Sequence, residues 1–116
     1  MGRSEGKTAK TDSLRLTEHA YQNISQITGY IAFIKHEPFN AIHVGEAIFK
    51  TIDRIAKNPF AFPECPELHT RNKIYRKAIC MSWLIIFKVK PSEIIILSII
   101  HQHRKPSRIR KVGRSK

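Results

Sequence analysis

The segment KIYRKAICMSWLIIFKVKPSEIIILSIIH, from Lys73 to His101, decides the fold of this 116-residue chain. It contains three runs rich in Ile, Val and aromatic residues, which are typical of β-strands: 73–80, 83–90 and 93–101. Only Met81-Ser82 and Pro91-Ser92 separate the runs. Because links of two residues can join only antiparallel neighbours, the segment predicts an antiparallel sheet of three consecutive strands.

Both faces of this predicted sheet are apolar at its centre. Residues 84–87 and 94–97 are continuous apolar runs, whereas a strand with one solvated face alternates apolar and polar side chains. One face must therefore pack against helices. The other face must be covered at least in part, either by a partner or by the chain itself.

The residues before this segment predict a short strand and two helices. Ser13–Leu16 alternates as a strand does, and Thr17 is a suitable N-cap for a helix that ends before Pro38. The apolar positions of that helix recur at intervals of three and four residues: Ala20, Ile24, Ile27, Ile31 and Ile34. A second helix begins at Pro38 and ends at Asn58-Pro59, with an apolar face formed by Ala41, Ile48, Ile52 and Ile55.

The short break between the helices predicts an antiparallel hairpin. We therefore predict an α+β fold of order β-α-α-β-β-β, in which the hairpin packs on a small, mainly antiparallel, twisted sheet. The Pro-rich stretch 60–67 is predicted to be a loop whose Phe side chains tuck under the helices. Residues 1–12 are interpreted as a flexible N-terminal segment, 13–105 as the folded domain and 106–116 as a basic tail that is flexible unless bound.

The net positive charge of the chain is confined to its C-terminal part. Up to Thr70 there are 8 Lys/Arg and 8 Asp/Glu, but from Arg71 onward there are 13 Lys/Arg and a single acid, Glu93. Solubility alone does not require such segregation, so the sequence indicates a basic surface for a polyanionic partner. The residues assigned to target or nucleic-acid binding are Arg71, Lys73, Arg76, Lys88, Arg108, Arg110 and Lys111.

His101 and His103 follow the last strand at a spacing that places both on one side of the chain. With Arg104 and Lys77 they are the candidate catalytic residues, since a histidine could transfer a proton at a ribose hydroxyl while a cation stabilises the phosphate. A metal site completed by Cys65 and His69 is the weaker alternative, and we expect no metal or cofactor. The histidines could equally be ordinary polar residues at a strand end.

Two cysteines do not make a disulfide framework, and reduced thiols in the cytoplasm are the expectation for Cys65 and Cys80. The longest apolar run, 94–100, is interrupted by Ser98 and is far shorter than the ~20 residues of a membrane-spanning helix. No signal-like apolar segment follows the N-terminus. We therefore expect a cytoplasmic protein without a membrane partner.

The order of elements and several short motifs resemble the RelE/ParE family of toxins from bacterial type II toxin–antitoxin systems. The similarity covers residues from about 13 to 112, and its motifs are 20–31, Asn58-Pro59, YRKAI at 75–79, WLIIFKV at 83–89 and IIILSIIHQHRKP at 94–106. The resemblance implies a growth-arresting toxin, of the kind also linked to plasmid stabilisation. The resemblance also implies that a cognate acidic antitoxin keeps the toxin silent and can form a hetero-oligomer with it.

The same resemblance implies two targets. ParE-like members poison DNA gyrase and need no active site of their own, whereas RelE-like members are metal-independent endoribonucleases that cut mRNA on the ribosome. Lys77 and Arg104 match basic positions of the nuclease branch, but Leu84 stands where that branch usually has an arginine and Arg110 where it has a tyrosine. We therefore favour gyrase slightly over mRNA. A non-toxic nucleic-acid- or ribosome-binding module is the alternative outside the toxin class.

Overall fold

The computed structural model describes residues 13–103 and 106–112. Strand β1 (Ser13–Leu16) leads into helix α1 (Glu18–Gly29), which continues as a π-helical turn over Tyr30–Ile34, and then into α2 (Pro38–Lys57). Two 3-10 turns, Pro59–Ala61 and Pro66–Leu68, precede strands β2 (Tyr75–Cys80), β3 (Trp83–Lys90) and β4 (Glu93–His101). Helix α3 (Pro106–Val112) comes last. The predicted α+β order is confirmed, with α3 as an addition.

The sheet has the order β1-β4-β3-β2. β2 pairs with β3 and β3 with β4 in antiparallel fashion, as the two-residue links predict, while β1 lies parallel to β4. A parallel pair needs a long crossover connection, and the helix hairpin is part of it. β2 begins two residues later than predicted because Lys73 has a φ of 54° and its N–H donates to the carbonyl of Thr70, which makes this segment a turn.

The helix hairpin packs on one face of the sheet. Ile24 of α1 and Ile48 and Ile55 of α2 are buried against sheet residues that include Ile85 and Phe87. Each buried Ile contributes about 1.5–3 kcal/mol through the removal of its side chain from water. The apolar stripes of the two helices therefore face the sheet, as their spacing predicts.

The second face of the sheet is covered by the chain itself. Leu84, Ile86, Ile95 and Leu97 form a second buried cluster with Cys65 and with two residues of α3, Ile109 and Val112. The interpretation of residues from 106 onward as a flexible tail is therefore wrong for 106–112. Two apolar residues three positions apart among arginines and lysines are a weak helix signal, and their burial depends on the apolar sheet face that they meet.

Side chains from the start of α1 complete the hydrogen bonding of β4 beyond the point where β1 ends. The Thr17 N–H donates to the carbonyl of Ile96 (3.0 Å), and the Thr17 hydroxyl donates to that of Leu97 (3.0 Å). Farther along, Asn23 Oδ1 accepts from the Ile99 N–H (3.0 Å) and from the Ser98 hydroxyl (2.9 Å). The free edge of a fully buried strand thus keeps its polar groups paired.

The Pro-rich loop covers the outer edge of β2. The Cys65 N–H donates to the Tyr75 carbonyl (2.9 Å), and the Lys77 N–H donates to the Pro63 carbonyl (3.1 Å). The ring of Phe62 packs edge-on against Phe87 with centroids 6.0 Å apart, as predicted for this loop. Phe60 is different, since its side chain is 65% exposed. The prediction that both rings tuck under the helices is therefore wrong for Phe60.

Cys65 lies at the junction of this loop with the second apolar cluster. Its side chain is buried and its sulfur contacts Glu67 Oε1 at 3.6 Å. Burial, followed by the negative charge of Glu67, raises the pKa of the Cys65 thiol from 9.0 to about 11. The thiol is therefore protonated at neutral pH and reacts slowly with electrophiles.

We predict that Asn23→Ala lowers the free energy of unfolding by about 2 kcal/mol, because the Ile99 N–H and the Ser98 hydroxyl lose their shared acceptor. Denaturant unfolding monitored by circular dichroism measures this. Gln22→Ala, at an exposed position of the same helix, is the control and should change stability by less than about 0.5 kcal/mol. Equal midpoints for the two variants would contradict the role assigned to Asn23.

We also predict that Cys65 resists alkylation by iodoacetamide at neutral pH and that its labelling rate rises as the pH approaches about 11. Because the folded pKa is the higher one, the free energy of unfolding should fall as the pH rises from 9.0 towards about 11. A Cys80→Ala variant isolates Cys65, and mass spectrometry follows its labelling. The same variant unfolded in denaturant should label readily, and fast labelling of the folded protein at neutral pH would contradict the prediction.

A candidate basic interaction face

Strand alternation places several predicted cations on the sheet face that carries α3. Lys77 of β2 lies opposite Ile86, and Lys88 of β3 lies opposite Tyr75, so both side chains share the side of the second apolar cluster. The Lys88 ammonium stands 5.5 Å from the centre of the Tyr75 ring. We define the basic face as Lys77, Lys88 and Lys90 with the exposed Arg110 of α3, the helix that rests on this side.

Further cations flank the basic face. Arg71 and Lys73 are exposed in the turn before β2, and the Val89 N–H donates to the Ile74 carbonyl (2.8 Å), so this turn lies beside the end of β3 that carries Lys90. Lys111 is exposed on α3. Arg104 lies outside the described residues, and for Arg108 the structure describes the helical backbone alone.

The cations of the basic face are not neutralised by carboxylates of the described chain. Over residues 13–103 and 109–112, the ion pairs are Arg15 with Glu93 at 2.8 Å and His69 with Glu64 at 2.9 Å. Glu93 is the single acid after residue 70, and it is held by an arginine from β1. The positive potential of the face is therefore available to a partner.

Arg76 does not belong to this face, although it was predicted as a binding residue. Its Nη1 donates to the Phe62 carbonyl at 2.7 Å, and its guanidinium lies 4.9 Å from the centre of the Phe60 ring. Its Nε is buried without a partner in the described chain. Arg76 follows Tyr75 by one residue and so points to the opposite side of β2, where it fastens the Pro-rich loop.

Among the candidate catalytic residues that the structure describes, Lys77 lies apart from the two histidines. His101 lies opposite Trp83, whose ring is 6.3 Å from it and packs with the helix-side cluster, so His101 is on the face opposite to Lys77. The two histidines do lie together, with ring centroids 5.3 Å apart, as their spacing predicts. The His103 N–H also donates to His101 Nδ1 at 3.3 Å.

The geometry does not support the alternative of a metal site that includes Cys65 and His69. The His69 ring is hydrogen-bonded to Glu64, and the Cys65 thiol is buried beside Glu67. Within the described part of the chain, no group of three or more His, Cys, Asp or Glu side chains is placed to hold a metal ion. None of the helices described there is both long and apolar enough to span a membrane.

Sequence reasoning missed an apolar groove on the outer side of the helix hairpin. The groove, of about 1100 Å³, runs between α1 and α2, and its lining includes Phe33, Ile42 and Phe49. These side chains lie off the stripes that face the sheet and are exposed, as is Phe39 at 84%. Phe39, Ile42 and Phe49 are spaced by three and seven residues, so a second apolar stripe on α2 was the available signal.

Comparison with known proteins identifies the family. The sequence profile described as ParE toxin of type II toxin-antitoxin system, parDE, matches residues 14–106. Among solved structures, the fold is similar to a chain of the chromosomal ParDE TA system from P. aeruginosa, with a TM-score of 0.62 and 21% sequence identity over 79% of this chain and 97% of that one. A search of curated protein sequences finds no match. The profile covers most of the chain, including the strands that carry Lys77, Lys88 and His101. The chain therefore belongs to the ParE toxin family of type II toxin–antitoxin systems.

Proposed function

We propose that this toxin arrests growth in the cytoplasm by inhibiting DNA gyrase, and that the basic face is its contact surface for the target. One observation carries the choice over mRNA cleavage: Lys77 and His101 lie on opposite faces of the sheet. A cation and a general base that act on one phosphodiester must both reach it, and these two do not. Inhibition by binding needs only a complementary surface.

The environment of Leu84 supports the same proposal. The resemblance to the nuclease branch implies an arginine at this position, but Leu84 is 6% exposed and packs in the second apolar cluster beneath α3. A charged side chain there would lose its hydration without gaining a partner. The position is therefore part of the core in this chain and contributes no charge to the basic face.

We also propose that a cognate acidic antitoxin silences the toxin by covering the basic face. Lys77, Lys88 and Lys90 have no described carboxylate partner, so an acidic chain gains their charge without breaking an internal ion pair. Electrostatic attraction of this kind raises the association rate and loses strength with added salt. Release of the antitoxin would then expose the same cations to the target.

Ribosome-dependent mRNA cleavage is the second candidate, and one observation favours it. The exposed imidazoles of His101 and His103 lie 5.3 Å apart between ring centroids, an arrangement that could serve proton transfer. In this hypothesis mRNA is cleaved at the end of β4, where the two histidines lie. The cations of the basic face would bind ribosomal RNA at a distance from the cleavage site.

We predict that the purified toxin blocks supercoiling of plasmid DNA by gyrase and that Lys77→Ala with Lys88→Ala raises the concentration needed by at least about tenfold, or 1.4 kcal/mol. Agarose gels of the supercoiling reaction measure this. The control, Lys35→Ala with Lys57→Ala, removes two exposed cations of the helix hairpin, one in the link between its helices and one at the end of α2, and should leave inhibition unchanged. Both double variants keep the same net charge, so a difference between them reports position.

Cleavage of mRNA on translating ribosomes by the purified toxin, with gyrase unaffected, would overturn the proposal. In that case His101→Gln with His103→Gln should abolish cleavage while leaving the unfolding midpoint near that of the parent, because exposed residues at a strand end contribute little to stability.

A further inference from the structure

A second cleft, of about 670 Å³, lies at the end of β4 that β1 does not reach. Three parts of the chain meet there: α1 with its π-helical turn, the adjoining ends of β3 and β4, and α3. The cleft opens at the edge of the sheet, where its two sides meet: Trp83 and Ile99 belong to the helix-hairpin side, and Ile100 and Val112 belong to the α3 side. We call it the Trp83 cleft.

The walls of the Trp83 cleft combine aliphatic and aromatic surface. Ile27, Ile31 and Ile99 contribute the aliphatic part, and Trp83 and Tyr30 contribute aromatic rings. Tyr30 is 56% exposed, and Trp83 is half-buried with its ring edge-on to His101. Aromatic walls of this kind accept a flat ring, which gains stacking energy as well as burial.

The polar lining of the cleft supplies several hydrogen-bond donors and contains no carboxylate. His19, His101 and Lys111 line it, but no Asp or Glu does, whereas Glu46 and Asp53 line the groove on the helix hairpin. Asn23 is oriented by its bonds, because the Ile99 N–H must donate to its oxygen. The amide nitrogen of Asn23, which donates to no group of the described chain, is thus left for a ligand.

We propose that the Trp83 cleft binds one nucleotide, either free or as part of a single-stranded nucleic acid. The base would lie against Trp83 and Tyr30, and the phosphate would pair with the Lys111 ammonium and accept hydrogen bonds from the imidazole N–H groups of the histidines. The volume falls within the range of small-molecule sites, about 300–1,000 Å³. The proposal does not depend on gyrase being the target, since none of Lys77, Lys88, Lys90 and Arg110 lines the cleft, although Lys111, which flanks the basic face, does.

Trp83 is the single tryptophan of the chain, so intrinsic fluorescence reports directly on this cleft. We predict saturable changes in emission when the full-length protein is titrated with AMP, with UMP or with a short single-stranded oligonucleotide. Adenosine and inorganic phosphate, which each supply half of the interaction, should bind more weakly by at least about tenfold. Calorimetry of the same titrations detects a ligand that binds without altering the emission.

Matched variants locate the site. Lys111→Gln should raise the dissociation constant for AMP about tenfold, whereas Lys88→Gln, the same change near the other end of β3 from Trp83 and outside the cleft, should alter it less than about twofold. Both should unfold at the midpoint of the parent. Equal weakening by the two variants would show nonspecific attraction by net charge and would overturn the proposal. The proposal would also be overturned if the cleft bound none of the nucleotides, or if it bound an acidic aromatic peptide in their place.

Discussion

The burial of β4 on both of its faces is the constraint on which the rest of the structure depends. Ile94, Ile96 and Ile99 pack beneath the helix hairpin, while Ile95 and Leu97 pack beneath α3. A strand without a solvated face must pair its backbone groups inside the protein, because an unpaired buried amide costs about 1–3 kcal/mol. β3 satisfies one edge. β1 and the side chains of Thr17 and Asn23 satisfy the other, which ties the first helix to the last strand.

The burial of β4 on both faces also separates the basic face from the histidine end of the sheet. Apolar side chains occupy the centre of both sheet faces, so the lysines of β2 and β3 are held at the margins of the α3 side, half-buried or exposed. Glu93 is the acid nearest to them in sequence, but it bonds to Arg15 on the far edge strand. The basic face therefore keeps its charge, while the histidine end of β4 faces a cleft lined by α1.

The fold was largely predictable, and the site was predictable only in part. The Ile stripes of α1 and α2 and the two-residue links fixed the elements to within about two residues, because periodicity and turn length are local properties. Lys77 and Lys88 could be assigned to a surface by alternation once the strands were known. Helix α3 could not be predicted, because Ile109 and Val112 are helical and buried only in the presence of the apolar sheet face that they cover. Arg76 looked like any other cation in its strand, yet it fastens a loop that the strand pattern does not reveal.

The sequence by itself determined the order of the elements from β1 to β4, the antiparallel pairing of β2, β3 and β4, and the confinement of the net positive charge to the residues after Thr70, since each follows from residue type and spacing alone. Tertiary structure decided which of those residues share a face. Adjacent strand positions point in opposite directions, and the register of β3 against both neighbours, set by packing on the two sheet faces, sends Lys77 to one side and His101 to the other. The division between a binding surface and a catalytic set is therefore a property of register, which no single segment of this chain encodes.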